Sequence, residues 1–122
     1  MPLRKPTIVL ITTHSILAAV YERHLMRFAK VVVFSTCEEF ERNALRLHAA
    51  LLVIDGVENA MAALNELKKK LTVKRVPVVV LCKHATHRDV DVLHGAGAHD
   101  ILFTIHHTPR AVAERLHKFL LV

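Results

Sequence analysis

Leu51-Leu52-Val53-Ile54-Asp55 is an apolar run closed by one carboxylate. Four consecutive apolar residues fit a short strand covered on both faces, as the strands of a parallel sheet between two helical layers are. Asp55 then stands where the buried strand runs out, and the neighbouring runs decide what it can do. Ile8-Val9-Leu10-Ile11 ends in Thr12-Thr13, and Ile101-Leu102-Phe103 ends in Thr104-Ile105, so neither brings a second acid or a lysine to that edge.

Outward from this stretch, short β-branched runs alternate with helical periodicity, the pattern of repeated β/α units. The strands are read at Thr7 to Ile11, Val31 to Phe34, Leu51 to Ile54, Val78 to Leu81 and Ile101 to Phe103. Between and after them lie five apolar stripes that should face the sheet. They are Leu17, Val20, Tyr21, Leu25 and Phe28; Phe40, Ala44 and Leu47; Ala60, Leu64, Leu67 and Leu71; Val90 with Leu93; and Val112, Leu116 and Phe119. Thr36 with Glu39 has capping-box spacing, and Thr108-Pro109 supplies an N-cap followed by a first-turn proline. Gly95-Ala96-Gly97 ends the fourth helix and lets the backbone turn tightly into the fifth strand.

The chain has 122 residues, of which 52% are hydrophobic and 23% charged, which suits one aliphatic-cored domain over 1–122 and argues against disorder. The last helix runs to the end of the sequence, so no effector domain is expected within it. No apolar stretch reaches the ~20 residues a membrane helix needs. Cys37 and Cys82 lie far apart without CxxC spacing, and Met1-Pro2-Leu3-Arg4-Lys5 does not open a secretory leader, so a reducing, cytoplasmic setting is expected. The formal net charge is +6. Its cations fall mostly before strands or at helix ends: Arg4-Lys5, Lys30, Arg46, Lys68-Lys69-Lys70 and Lys74-Arg75. These positions favour a solvated edge with well-compensated helix dipoles over a nucleic-acid interface.

With these elements in order, the sequence resembles the receiver domain of two-component response regulators from Thr7 to Leu120. Leu51-Leu52-Val53-Ile54-Asp55 matches the strand that ends in the phosphoacceptor aspartate. Val76-Pro77-Val78-Val79-Val80-Leu81 matches the proline-led fourth strand, and Gly95-Ala96-Gly97-Ala98-His99-Asp100 matches the step into strand five. The resemblance implies an α/β, three-layer (βα)5 flavodoxin-like fold with a parallel sheet in the order 2-1-3-4-5 and a site at the strand carboxyl ends. It also shows what is missing. The family's acidic pair falls on Thr12 and Thr13, its switch hydroxyl on Cys82, its lysine on Thr104, the proline after it on Ile105, and its aromatic switch on Ile101. Threonines do not hold Mg2+ as carboxylates do, so binding of Mg2+ is expected to be lost or weak, and no other cofactor is expected.

Asp55 is read either as a strand-end carboxylate satisfied by nearby backbone donors or as a residue with a remaining role. Lys83, next to Cys82, either pairs with Asp55 and places fixed positive charge in the pocket or extends into solvent. Of ten histidines, His14, His84, His106 and His107 fall on the same edge, but without the spacing of a recognised metal motif, and no metal site is assigned. Most of the other six, His24, His48, His87, His94, His99 and His117, are expected to face solvent. Cys82 reads as a small core residue, or as a reactive thiol if Lys83 lowers its pKa. No nucleophile elbow, phosphate-binding glycine loop or acid and base pair is present, so no catalytic residue is assigned and the chain is not expected to be an enzyme.

The resulting expectation is a pseudo-receiver, a signalling interaction module that does not use conventional Mg-dependent Asp phosphorylation. Its degenerate pocket is Asp55, Thr12, Thr13, Cys82, Lys83 and Thr104. By resemblance its docking face is formed by the fourth helix, fifth strand and fifth helix, with Ile101, Leu102, Phe103, Val112 and Leu116 and the Leu120-Leu121-Val122 tail enriching it in apolar groups. The partner is then a signalling protein or effector domain, or a second copy of the chain. The alternatives are a residual phosphoacceptor at Asp55 in a phosphorelay, a nucleic-acid binder through the basic edge, and an unidentified small ligand at the strand carboxyl ends.

Overall fold

The computed structural model describes residues 5–67 and 76–120, with 44 and 45 described by their backbone only. Arg4, Lys68, Lys69, Lys70, Leu71, Lys74, Arg75, Leu121 and Val122 lie outside the described residues, as does the side chain of Ala44.

Strands and helices alternate: β1 (Thr7–Ile11), α1 (Ser15–Leu25), β2 (Lys30–Phe34), α2 (Cys37–Leu47), β3 (Leu51–Asp55), α3 (Val57–Leu67), β4 (Val78–Cys82), α4 (His87–Gly95), β5 (Asp100–Phe103) and α5 (Pro109–Leu120). The five strands form one sheet in the order β2-β1-β3-β4-β5, and every pairing is parallel. The fold and strand order expected from the sequence are those observed. Strand ends differ by one residue: β2 and β5 begin at Lys30 and Asp100, while β3 and β4 continue to Asp55 and Cys82.

Alternation along the strands divides the core in two. Val9, Ile11, Leu52, Ile54, Val78, Val80 and Ile101 pack with Phe40, Leu64 and Leu93 on the side of α2, α3 and α4. Ile8, Leu10, Leu51, Val53, Val79, Leu81 and Leu102 pack with Tyr21, Leu25, Val112 and Leu116 on the side of α1 and α5. Both faces of the central strands β1, β3 and β4 are therefore dry, which is why they read as continuous apolar runs, whereas the edge strand β2 is only partly covered.

Two features depart from the expected stripes. Val20 is 37% exposed. Ala18, Tyr21 and Leu25 form the buried line of α1, and Val20 lies one residue, about 100°, away from it. Phe28 follows the end of α1, in a turn closed by Phe28 N–H to Leu25 C=O at 3.1 Å. It still packs on the core and stacks on His117 of α5, with ring centroids 4.0 Å apart.

The helix ends follow local chemistry. Thr108 Oγ1 accepts from Ala111 N–H at 3.1 Å ahead of Pro109. Thr36 Oγ1 accepts from Glu39 N–H at 3.2 Å, but the Glu39 carboxylate returns to Ser35 N–H, so only one arm of the expected box closes. The complete capping box is at α4, where Thr86 and Asp89 each accept the other's backbone N–H at 3.0 Å. Gly97 has φ +116°, the left-handed region the turn into β5 requires.

Candidate functional site

The register of the sheet assembles the site. Ile11 lies opposite Ile54 and Asp55 opposite Leu81, so the chain leaves β1, β3 and β4 at one edge, where β1 and β3 part into oppositely directed connections. In doubly wound sheets this crevice is where ligands bind. Thr12, one step beyond Ile11, is buried at 4% exposure. Its hydroxyl donates to Asp55 Oδ2 at 2.9 Å and accepts from His14 N–H at 3.0 Å. The partner of the Asp55 carboxylate is thus a side-chain hydroxyl rather than backbone donors. Asp55 C=O accepts from the Asn59 side chain at 3.2 Å. Gly56, at φ +99°, turns the chain into α3 while its N–H donates to Leu81 C=O at 2.8 Å.

On the other flank, Thr104 Oγ1 donates to Cys82 C=O at 3.4 Å, tying the exit of β5 to β4. The Cys82 side chain is buried at 4% exposure. Burial, then the Asp55 and Asp89 carboxylates, push its thiol up, which keeps it protonated and unreactive. Lys83 is exposed, lines the same cleft as Asp55, and makes no ion pair with it. Thr13 points to solvent and is not among the cleft residues.

The cleft is open and measures about 860 Å3. The predicted residues Asp55, Cys82, Lys83 and Thr104 line it, with His14 and His84. The sequence reading did not anticipate its apolar wall, contributed by Ile16, Leu17, Val20 and Tyr21 from α1 and by Pro109 from α5, nor Glu58 and Asn59 from α3. A signal was present: Ile16 and Val20 are four apart and lie off the buried line of α1, so they form a second apolar face. Tyr21 is buried, and its phenol is pushed up by burial first and by Asp55 second.

The donor set does not fit the Mg2+ of receiver domains. Thr12 carries no charge and its hydroxyl is engaged, Thr13 faces away, and Glu58 is exposed on α3. Among the described residues no group of three or more His, Cys, Asp or Glu is arranged to hold a metal ion.

The apolar docking face needs correction. Ile101, Leu102, Val112 and Leu116 are 8%, 2%, 1% and 1% exposed, so their side chains belong to the core. Although β5 is an edge strand, its two faces are covered by the helical layers, and of that set's described residues Phe103 and Leu120 are partly exposed. The outer surface there is ionic, with Arg110–Glu114 and Arg115–Asp100 pairs at 3.4 Å.

No protein-family model matches the chain, and no curated protein matches it in sequence. Solved structures do match in shape. An orphan response regulator of H. pylori has a TM-score of 0.84 at 20% identity, over 98% of this chain and 99% of that one. An atypical orphan response regulator, described with a phosphorylation-independent regulatory mechanism, has 0.80 at 20% identity over 94% and 95%. A response regulator of Thermotoga maritima has 0.82 at 17% identity over 97% and 99%. The chain shares the fold of these response-regulator structures, a five-stranded parallel sheet in the order β2-β1-β3-β4-β5 between helical layers.

Proposed function

We propose that this chain is an atypical receiver, a pseudo-receiver that works as a cytoplasmic protein-protein interaction module in signal transduction without Mg-dependent phosphorylation of Asp55. The observation that carries this reading is the Thr12 hydroxyl on Asp55 Oδ2. It occupies with a neutral donor the place where a receiver needs acids and a dication, and Thr104 is tied to Cys82 C=O where a lysine would supply charge. Phosphoryl transfer relies on such charge to stabilise its equatorial oxygens. The fold's likeness to an atypical orphan regulator with a phosphorylation-independent mechanism supports the same reading. No catalytic turnover is assigned to the chain.

Its partner is a signalling protein or effector domain that reads the surface of α4, β5 and α5. Because Ile101, Leu102, Val112 and Leu116 are internal, recognition rests on exposed groups such as the apolar Val92 and the charged Arg110 and Arg115, and a homodimer through this face would use the same groups. The test is a Mg2+ titration followed by amide NMR. The expected result is no saturable shift at Thr12, Asp55 or Lys83 with millimolar Mg2+; saturation centred on Asp55 contradicts the reading.

A further inference from the structure

We propose that the cleft beside Asp55 binds a small amphipathic organic cation, a primary ammonium on an aromatic or branched aliphatic body. The inference rests on reading Asp55 as a carboxylate without a divalent ion, and it assigns that carboxylate a ligand.

The body of the ligand is specified by the wall. Ile16 is 81% exposed and Val20 37% exposed, although both are large aliphatic side chains on the rim of a concave site. With Leu17 and Pro109 they place four apolar side chains in the lining of a cleft that also holds a carboxylate, and the cleft's volume of about 860 Å3 lies in the range of sites for small organic molecules. A hydrated metal ion gains nothing from such a wall. An apolar body gains by removing it from water.

The head group is specified by Asp55. Oδ2 takes the Thr12 hydroxyl, whereas Oδ1 accepts no hydrogen bond and Asp55 forms no ion pair among the described residues. Glu58 adds a second carboxylate to the lining, against the single ammonium of Lys83. The cleft therefore carries acids in a chain whose formal net charge is +6. Tyr21 and Cys82 both sense this negative charge, since Asp55 raises each after burial does. A primary ammonium offers three donors and needs only one well-placed carboxylate oxygen, unlike a hard dication that needs several.

The test is an amide NMR titration of the full chain in EDTA with three probes: phenethylammonium, phenylacetate with the same ring and opposite charge, and methylammonium with no apolar body. Phenethylammonium should give saturable shifts centred on Ile16, Val20 and Val57, with either control at least about tenfold weaker. Asp55→Asn should weaken it about tenfold, the size of one charged hydrogen bond. Ile16→Ser, a change at an exposed site that leaves folding intact, should weaken it severalfold. Absence of saturation, equal binding of phenylacetate, or unchanged affinity in Ile16→Ser overturns the proposal, as does a cleft occupied only by a protein partner. Phosphorylation of Asp55 in a separate assay would overturn the pseudo-receiver reading without altering this titration, so the two failures are distinguishable.

Discussion

Thr12 shows how one side chain changes the chemistry of a site. Its hydroxyl donates to Asp55 and accepts from His14 N–H, so both of its hydrogen-bonding roles are filled by the chain itself. Thr12→Val keeps the shape and leaves the part-buried His14 N–H without its acceptor. The expected loss is about 1–3 kcal/mol in urea unfolding, against no more than about 0.5 kcal/mol for the exposed Thr13→Val. Equal effects of the two would remove the structural role given to Thr12. Cys37 offers a second residue-level test. Burial, then Glu41, Glu66 and Glu38, push its thiol from 9.0 to about 11. The folded state thus favours the protonated thiol, and the stability it contributes is complete below pH ~9 and lost as pH rises towards ~11. Cys37→Ser should flatten the decline of stability over that window, and alkylation of Cys37 at neutral pH should be slow.

At the scale of elements, strands were the most legible feature, because each is a short, largely apolar run, the central ones β1, β3 and β4 with dry faces, and parallel pairing follows from alternation with helices. Their ends were not, since Asp55 and Cys82 complete ladders through backbone pairing that no apolar pattern encodes. The same holds for histidines. His99, although exposed, accepts Val78 N–H on Nδ1 at 3.0 Å, and its own N–H donates to Val78 C=O at 2.7 Å, which fastens β5 to the start of β4. His94 Nδ1 donates to Ala98 C=O at 3.0 Å, because a carbonyl can only accept. His99→Ala should cost about 1–2 kcal/mol and speed hydrogen exchange at Val78; unchanged exchange would show that the imidazole is dispensable. Thr86→Ala, which opens the α4 capping box, should cost about 1 kcal/mol.

Over the whole molecule, the fold was readable from three local matches around Asp55, Pro77 and Gly97, all consistent with one topology. That Asp55, Thr12, Cys82, Lys83 and Thr104 share one edge is legible too, because strand order alone brings those ends together, while Thr13 is exposed. Of the apolar residues on the α4, β5 and α5 side, Leu102, Val112 and Leu116 are core, because β5 and α5 turn them towards each other, a packing that the apolar pattern alone does not separate from a surface patch. The cleft wall is hidden for a related reason: helical spacing admits Val20 to the stripe of Leu17, Tyr21 and Leu25, whereas the buried line of α1 runs through Ala18, Tyr21 and Leu25 and leaves Val20 on the rim. The claim on which function turns is that Asp55 does not take up a phosphoryl group. Intact-mass analysis after incubation with acetyl phosphate and Mg2+, beside a receiver that retains its acids and with Asp55→Asn as control, measures this directly. The expected result is an unchanged mass while the control receiver is modified, and a phosphoryl-sized gain that disappears in Asp55→Asn would contradict it.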